Sequence, residues 1–280
     1  MATVRPFSRS DRDQLTALVN AHVAAVVPGV SVSVNALMSQ LEREPGELIV
    51  DPWVVERRTL VAIEKDAVVA GAHLLRYGDD ERVGEAYRGL HEIRWLVARP
   101  DAMAAARELI AATDATIADG SLPAPFVYGV PDTWPHIRAL YADAGFVPSR
   151  TEVVLVAEVA GLPDAPFTAA RSVGPWTWTR LARGDDTYVD LETDFTAGGA
   201  LSRFAGWADI GNLVAPDDET KRWLLAQTKE WLRLGGITRL VAYADPGNES
   251  FYVTNGFREL VRTERGWVRD PVGPPTSRAR

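Results

Sequence analysis

The chain has 280 residues, 46% of them hydrophobic, and a net charge of -8. That content suffices for one or two packed cores, and the acidic balance argues against nucleic acid and favours cationic small molecules. Cysteine is absent, which excludes disulfides, thiolate metal sites and a cysteine nucleophile, and four scattered histidines show no ligand spacing, so no metal site is expected. No apolar run is long enough to span a bilayer and the start lacks a secretory signal's apolar core, so a cytoplasmic protein without a membrane partner is expected.

An opening strand leads into a helix, where Ser10 and Asp13 resemble a capping box and Leu15, Leu18, Val19, His22, Val23 and Val26 recur at helical spacing until Pro28-Gly29. A second helix is predicted over 34–43, with Leu37, Met38 and Leu41 on one face and Pro45-Gly46 after it. Residues 59–64 and 68–77, rich in β-branched side chains, flank Lys65-Asp66 and read as a hairpin; 90–98 is a third strand running into Pro100-Asp101. A helix over 102–119 aligns Met103, Ala106, Leu109, Ile110, Thr113 and Ile117. A short buried strand at 126–130, a helix at 135–144 that opens on proline, and closing strand residues at 146 and 151–159 complete this half. The order is that of an α/β fold, α+β with a mixed sheet.

Gly161 to Pro166 reads as a linker. Strand candidates follow at 167–173, 176–182, 188–195 and 208–215, then a helix at 219–234 with Leu224, Gln227, Trp231 and Leu234 on one face, and a strand at 238–244. The expected domains are 1–160 and 165–270, the second abbreviated because it lacks the two opening helices. Residues 271–280, with Pro271, Pro274 and Pro275, read as a loose tail.

The two halves run through the same punctuation. Val97-Ala98-Arg99-Pro100-Asp101, a helical stretch closed by Gly120, an apolar run, Tyr141-x-x-x-Gly145-Phe146 and Arg150-Thr151-Glu152 are matched by Val214-Ala215-Pro216-Asp217, a helix closed by Gly235-Gly236, an apolar run, Tyr252-x-x-x-Gly256-Phe257 and Arg262-Thr263-Glu264. A closing glycine lies twenty residues after the proline in each, 100 to 120 and 216 to 236. So long a period excludes a solenoid and points to two related domains.

This pattern resembles the GNAT superfamily of acyl-CoA-dependent N-acyltransferases, over nearly the whole chain and in a tandem arrangement similar to that of mycothiol synthase. The resemblance implies acetyl-CoA as co-substrate and a primary amine on a small molecule as acceptor. In such a site, unpaired amides at the helix start after the central strand meet the pyrophosphate, and backbone groups where two strands part hold the pantetheine arm. Carried over, the proton donors to the departing thiolate are Tyr141 and Tyr252, the turn and strand positions are Val97 and Val214, and Asn248 matches an asparagine that opens the family's last helix. Glu92, on the central strand just before the turn, is the expected base, with Asp209 its counterpart. Each carboxylate also reads as one paired with an arginine such as Arg94, and each tyrosine as a ring under its Gly-Phe turn with the hydroxyl on a carbonyl. The first half is the more complete, whereas the mycothiol synthase resemblance implies activity in the second. Oligomeric state is left open.

The chain departs from the family's glycine-rich turn. Neither 100–109 nor 216–225 contains glycine, and Met103 and Glu219 stand where the family has arginine or glutamine. Asp101 and Asp217 fall where an N-cap would, and an N-cap carboxylate bonds the amides a pyrophosphate would use. The alternative is therefore a catalytically degenerate GNAT fold kept as a ligand-binding or interaction module. Trp176 and Trp178, at strand spacing, read as packing, and Ser10, Ser33 and Ser202 lack a hydrolase arrangement.

Overall fold

A computed structural model of the chain describes residues 2–44, 53–123, 127–173, 178–193 and 206–269. Strand β1 (Thr3–Pro6) is followed by helices α1 (Arg12–Val26) and α2 (Val34–Leu41), strands β2 (Val54–Glu64), β3 (Ala67–Tyr77) and β4 (His91–Ala98), helix α3 (Met103–Ala111), and short strands β5 (Ile117–Ala118) and β6 (Val130–Pro131). Helix α4 (Pro135–Asp143) then leads to β7 (Phe146–Val147) and β8 (Arg150–Glu158). The second half contributes β9 (Ala170–Val173), β10 (Trp178–Gly184), β11 (Thr187–Thr193), β12 (Trp207–Val214), helix α5 (Asp218–Leu234), β13 (Arg239–Ala244), the short helix α6 (Ser250–Thr254), β14 (Arg258–Arg265) and β15 (Trp267–Arg269).

Local chemistry explains several of these elements. Lys65 and Asp66 take positive φ angles of 48° and 64°, the left-handed pair that matches the twist of a tight hairpin. Ser33 accepts the Ala36 amide at 3.1 Å and starts α2. In α1 the apolar stripe Leu15, Val19, Val23 and Val26 is buried, as its spacing requires. The box at the start of the chain forms earlier than expected: Ser8, not Ser10, precedes the first turn, and its amide donates to Asp11 at 2.8 Å.

Two sheets result. The first has the order β1-β2-β3-β4-β5-β15-β7 and the second β6-β14-β8-β13-β12-β11-β10-β9. Each contains one parallel pair, β4 with β5 and β12 with β13, joined through α3 and α5 respectively. The other pairings are antiparallel. Both parallel pairs are brief, two residue pairs in the first and three in the second; beside β4 the Ser121 amide still donates to the Arg94 carbonyl at 3.1 Å.

The halves trade strands. Strand β8, which the sequence assigns to the first domain, lies between β13 and β14 of the second sheet, and β15, from the end of the chain, lies between β5 and β7 of the first. Strand β8 is consequently buried on both faces. Val153, Leu155 and Ala157 enter the core containing Leu224, Leu225 and Leu232 of α5, while Val154 and Val156 join the core of the first half. That first core also takes in Trp207, Val241, Val261 and Trp267 from the second half.

Three expectations need correction. The helix predicted over 102–119 ends at Ala111; the Thr113 hydroxyl donates to the Ile110 carbonyl at 2.8 Å, and β-branched Ile117 enters the sheet beside β4. The strand predicted at 126–130 is reduced to Val130–Pro131 and pairs with β14 in the other sheet. The strand predicted from 167 begins at Ala170. Pro45-Gly46, Phe126, Trp176, Ser202 and the tail 271–280 lie outside the described residues, as does the Trp178 side chain. Among the described residues no helix is long and apolar enough to cross a membrane.

Candidate active site

Strand β4 carries a bulge: His73 pairs with Trp95 and Leu74 with Ile93, so Arg94 is the extra residue. On one side of this bulge opens a cleft of about 600 Å³, within the usual range for small-molecule sites. Glu92 lies at its floor, 4% exposed. The Tyr77 hydroxyl at the end of β3 donates to one Glu92 oxygen, and Arg94 reaches the other at 3.5 Å. Burial raises the Glu92 carboxyl above the ordinary carboxylate range, opposed by the Arg94 charge and the Tyr77 hydrogen bond. The Tyr77 phenol is likewise raised, first by burial and then by the adjacent carboxylate.

The near wall is aromatic. Tyr77 and Tyr87 have ring centres 5.1 Å apart, and Trp53 stands 6.0 Å from Tyr87. The far wall is the exchanged segment Arg265, Gly266 and Trp267. Gly266 has φ +60°, and a Cβ there would lie 2.3 Å from the Ser149 hydroxyl oxygen, so a side chain at this turn from one sheet into the other would be strained and would displace Ser149. Arg265 is held by Glu152 at 2.9 Å. Asp119, just beyond β5, completes the lining; its carboxylate accepts the Gly120 amide at 2.8 Å and the Ser121 hydroxyl at 2.9 Å.

The other expected site residues are dispersed around this cleft and in the second half. Tyr141 is fully buried behind β5, and its hydroxyl donates to the Asp119 carbonyl at 2.9 Å; burial holds its phenol far above the ordinary value. The packing reading describes this residue, and it does not line the cleft. Val97 is fully buried and paired with Gly71. Val214 is 38% exposed at the end of β12, opposite Tyr188. Asn248 sits in an exposed turn, its amide on the Asp245 carbonyl. Tyr252 is half-buried between Phe251 and Phe257, with no hydroxyl hydrogen bond among the described residues, and burial raises its phenol. Asp209 is buried and accepts the Tyr243 hydroxyl at 3.2 Å, an echo of the Tyr77 bond to Glu92.

The two helix starts, which carry the same Pro-Asp pair, differ. Asp217 caps α5 by accepting the Thr220 amide at 2.7 Å, and that backbone bond lowers its carboxyl. Asp218 and Glu219 add charge to the same turn and line a cleft of about 320 Å³ with Arg222 and Phe251. An anionic phosphate does not fit there. Asp101, contrary to expectation, is not a cap: α3 starts after Ala102, which has no capping side chain, and Asp101 turns instead to Arg99 at 2.7 and 3.0 Å. Among the described residues no side chain accepts the first-turn amides of α3, so these donors do not conflict with a phosphate as those of α5 do. At the end of β4 the His136 ring sits on the Ala98 carbonyl at 3.0 Å and against His22 at 3.2 Å.

No family model matches the sequence, and no curated protein matches it. Solved structures do match the fold. A tandem GNAT protein from the clavulanic acid biosynthesis pathway, determined without AcCoA, superposes with a TM-score of 0.62 at 15% identity, over 98% of this chain and 99% of that one. A GCN5-related glucosamine N-acetyltransferase region of a fungal multi-domain GH3 beta-N-acetylglucosaminidase gives 0.63 at 12% identity, over 95% of this chain and 38% of that one. A GCN5-related N-acetyltransferase from Sphaerobacter thermophilus gives 0.56 at 11%, over 95% and 94%. The chain has the tandem GNAT fold, as its repeated punctuation implied.

Proposed function

We propose that the chain is an acyl-CoA-dependent N-acyltransferase whose first half acts on a primary amine of a small molecule, with Glu92 as base. The observation that carries this reading is the buried Glu92 carboxylate at the floor of an open cleft, on the central strand of the half whose helix start has no carboxylate cap. Acyl-CoA would be held at its phosphates by the Met103 to Ala105 amides and Arg99, and supplies a thioester carbon to which the amine nitrogen bonds as the carbon–sulfur bond breaks and coenzyme A leaves. Glu92 receives the proton that the nitrogen loses. Tyr77 holds the Glu92 carboxylate in place, and the aromatic wall limits water at the nitrogen. Tyr141 supports β5 through Asp119.

A second reading, a binding module without transfer, is favoured by one contact: His136 occupies the Ala98 carbonyl that a pantetheine amide would use. Incubation with acetyl-CoA and a panel of primary amines, with thiol release as the readout, separates the two. The enzyme reading expects release by wild type and release slowed at least about a hundredfold in Glu92→Gln. Neither thiol release nor calorimetric binding of acetyl-CoA would leave the module.

A further inference from the structure

The end of β4 nearest α3 has an unpaired edge. The Arg99 amide donates to the Val69 carbonyl at 2.8 Å, and Ala98 stands opposite Ala70 and Leu96 opposite Ala72. In that register Leu96 and Ala98 turn their main-chain groups away from β3. Earlier on the same side, the amides of Thr116, Asp119 and Ser121 take the carbonyls of His91, Ile93 and Arg94 at 3.0, 2.8 and 3.1 Å. Beyond Arg94 no main-chain donor among the described residues reaches this side of the strand. The Ala98 carbonyl is taken by a side chain instead, the imidazole of His136 at 3.0 Å.

The partners fix the protons. A carbonyl only accepts, so His136 Nε2 carries its hydrogen; His22 Nδ1 lies 2.9 Å from the Leu18 carbonyl and carries its own. His22 Nε2 is then bare, and at 3.2 Å it faces the same His136 hydrogen that Ala98 accepts. One proton is thus shared between two acceptors. His22 is held in place: it is 5% exposed, the Trp134 ring stands edge-on at 5.1 Å, and its own carbonyl accepts the Trp134 indole N–H at 3.0 Å. His136 is freer. It is half-buried in the first turn of α4, and its Nδ1 has no hydrogen bond among the described residues.

No carboxylate is paired with the His136 ring. Of the charged groups on the elements around it, Arg99 pairs with Asp101, Arg107 of α3 with Asp143 of α4, and Arg138 of α4 with Glu264, while α1 presents His22. Burial therefore holds the seated imidazole below the ordinary histidine value, opposed by the Ala98 hydrogen bond.

We propose that His136 is a latch on the acyl-CoA site: in the free protein its ring closes the Ala98 carbonyl, and the cofactor's amide-bearing arm takes that carbonyl only after the ring swings into solvent. The proposal rests on the reading of the first half as the acyl-CoA half, and it concerns how that site opens. A displaced ring takes a proton at the ordinary value near 6.5 and the seated one only below it, so protons favour the open state. Acyl-CoA binding therefore tightens as pH falls through 6.5.

The test is calorimetric titration of the full chain with acetyl-CoA, from about pH 8 to about pH 5.5, in wild type and in His136→Ala. At the alkaline end the variant binds about three- to tenfold more tightly, because no ring competes for the carbonyl. The gap narrows toward the acid end as the wild-type ring leaves its seat. A ring that merely supported α4 would instead give weaker binding in the variant at every pH. NMR titration of the wild-type imidazoles needs no variant: His136 titrates below 6.5 in the free protein and moves up on saturation with acetyl-CoA. Equal affinity in the two proteins, weaker binding by His136→Ala, or a His136 titration unmoved by the cofactor overturns the latch and leaves the acyl-CoA reading standing. No binding by either protein overturns that reading, and the latch with it.

Discussion

The Tyr141 hydroxyl gives its only proton to the main-chain oxygen of Asp119, 2.9 Å away, in a fully buried site. The matching tyrosine of the second half, Tyr252, is half-buried and has no such bond among the described residues. Substituting Tyr141→Phe should therefore cost about 1 kcal/mol of stability, the worth of one buried hydrogen bond, and leave turnover within about threefold of wild type. Thermal unfolding and kcat are the measurements. A loss of about a hundredfold in kcat at an unchanged Tm would instead make Tyr141 the proton donor.

Glu92 must be ionised to take a proton, and burial raises its carboxyl. Activity should therefore fall as pH drops through a value above the ordinary carboxylate range, which a pH profile of kcat/KM reads directly. The Tyr77 hydrogen bond favours the ionised form, so Tyr77→Phe moves that limb to still higher pH. Glu92→Gln should lower kcat/KM by about 10²- to 10⁴-fold with the chain still folded. A limb that stays in place in Tyr77→Phe would detach Tyr77 from the base.

The fold was legible because turns are local: the Lys65-Asp66 hairpin and the proline that opens α4 need only their neighbours. The place of Glu92 on β4 was legible the same way, whereas its candidacy as base came from the family resemblance. The strand exchange was not, because β8 carries apolar residues at both parities and nothing in it tells which sheet will take each face. The cleft walls were hidden with it: Trp267 arrives on the exchanged strand and Tyr87 on a loop whose length sets no register. The two aspartates diverge through context. Arg99 stands two residues before Asp101 and draws it away, whereas Ala215 precedes Asp217 at that place and leaves it to cap.

Anion binding should follow the same asymmetry. Acetyl-CoA should titrate to one site per chain; Arg99→Ala should weaken it, and Asp217→Ala should lower the unfolding midpoint while leaving affinity and stoichiometry unchanged. Calorimetry decides. Two sites in the wild type, or binding gained only in Asp217→Ala, would show that the second helix start is the one that matters.

His22 and His73 are buried neutral, with burial pushing them down to about 4 and about 3 from 6.5. His73 lies against Thr59, its Nδ1 2.9 Å from the hydroxyl, and its Nε2 has no hydrogen-bond partner among the described residues. Because the folded values are depressed, their stabilising effect is complete above pH 6.5 and is lost as pH falls toward those values, where the unfolded chain takes protons the folded one refuses. Each histidine contributes a slope of about 1.4 kcal/mol per pH unit in that window. Chemical denaturation at a series of pH values should show a shallower decline below pH 6.5 in His22→Asn and in His73→Asn than in wild type; equal slopes would refute the assignment.

Each sheet carries, within its interior, a ribbon supplied by the other half of the chain, so neither half closes its sheet alone. Removing either half would therefore open a sheet of the other: without the chain's last strand nothing bridges β5 and β7, and without β8 nothing lies between β13 and β14.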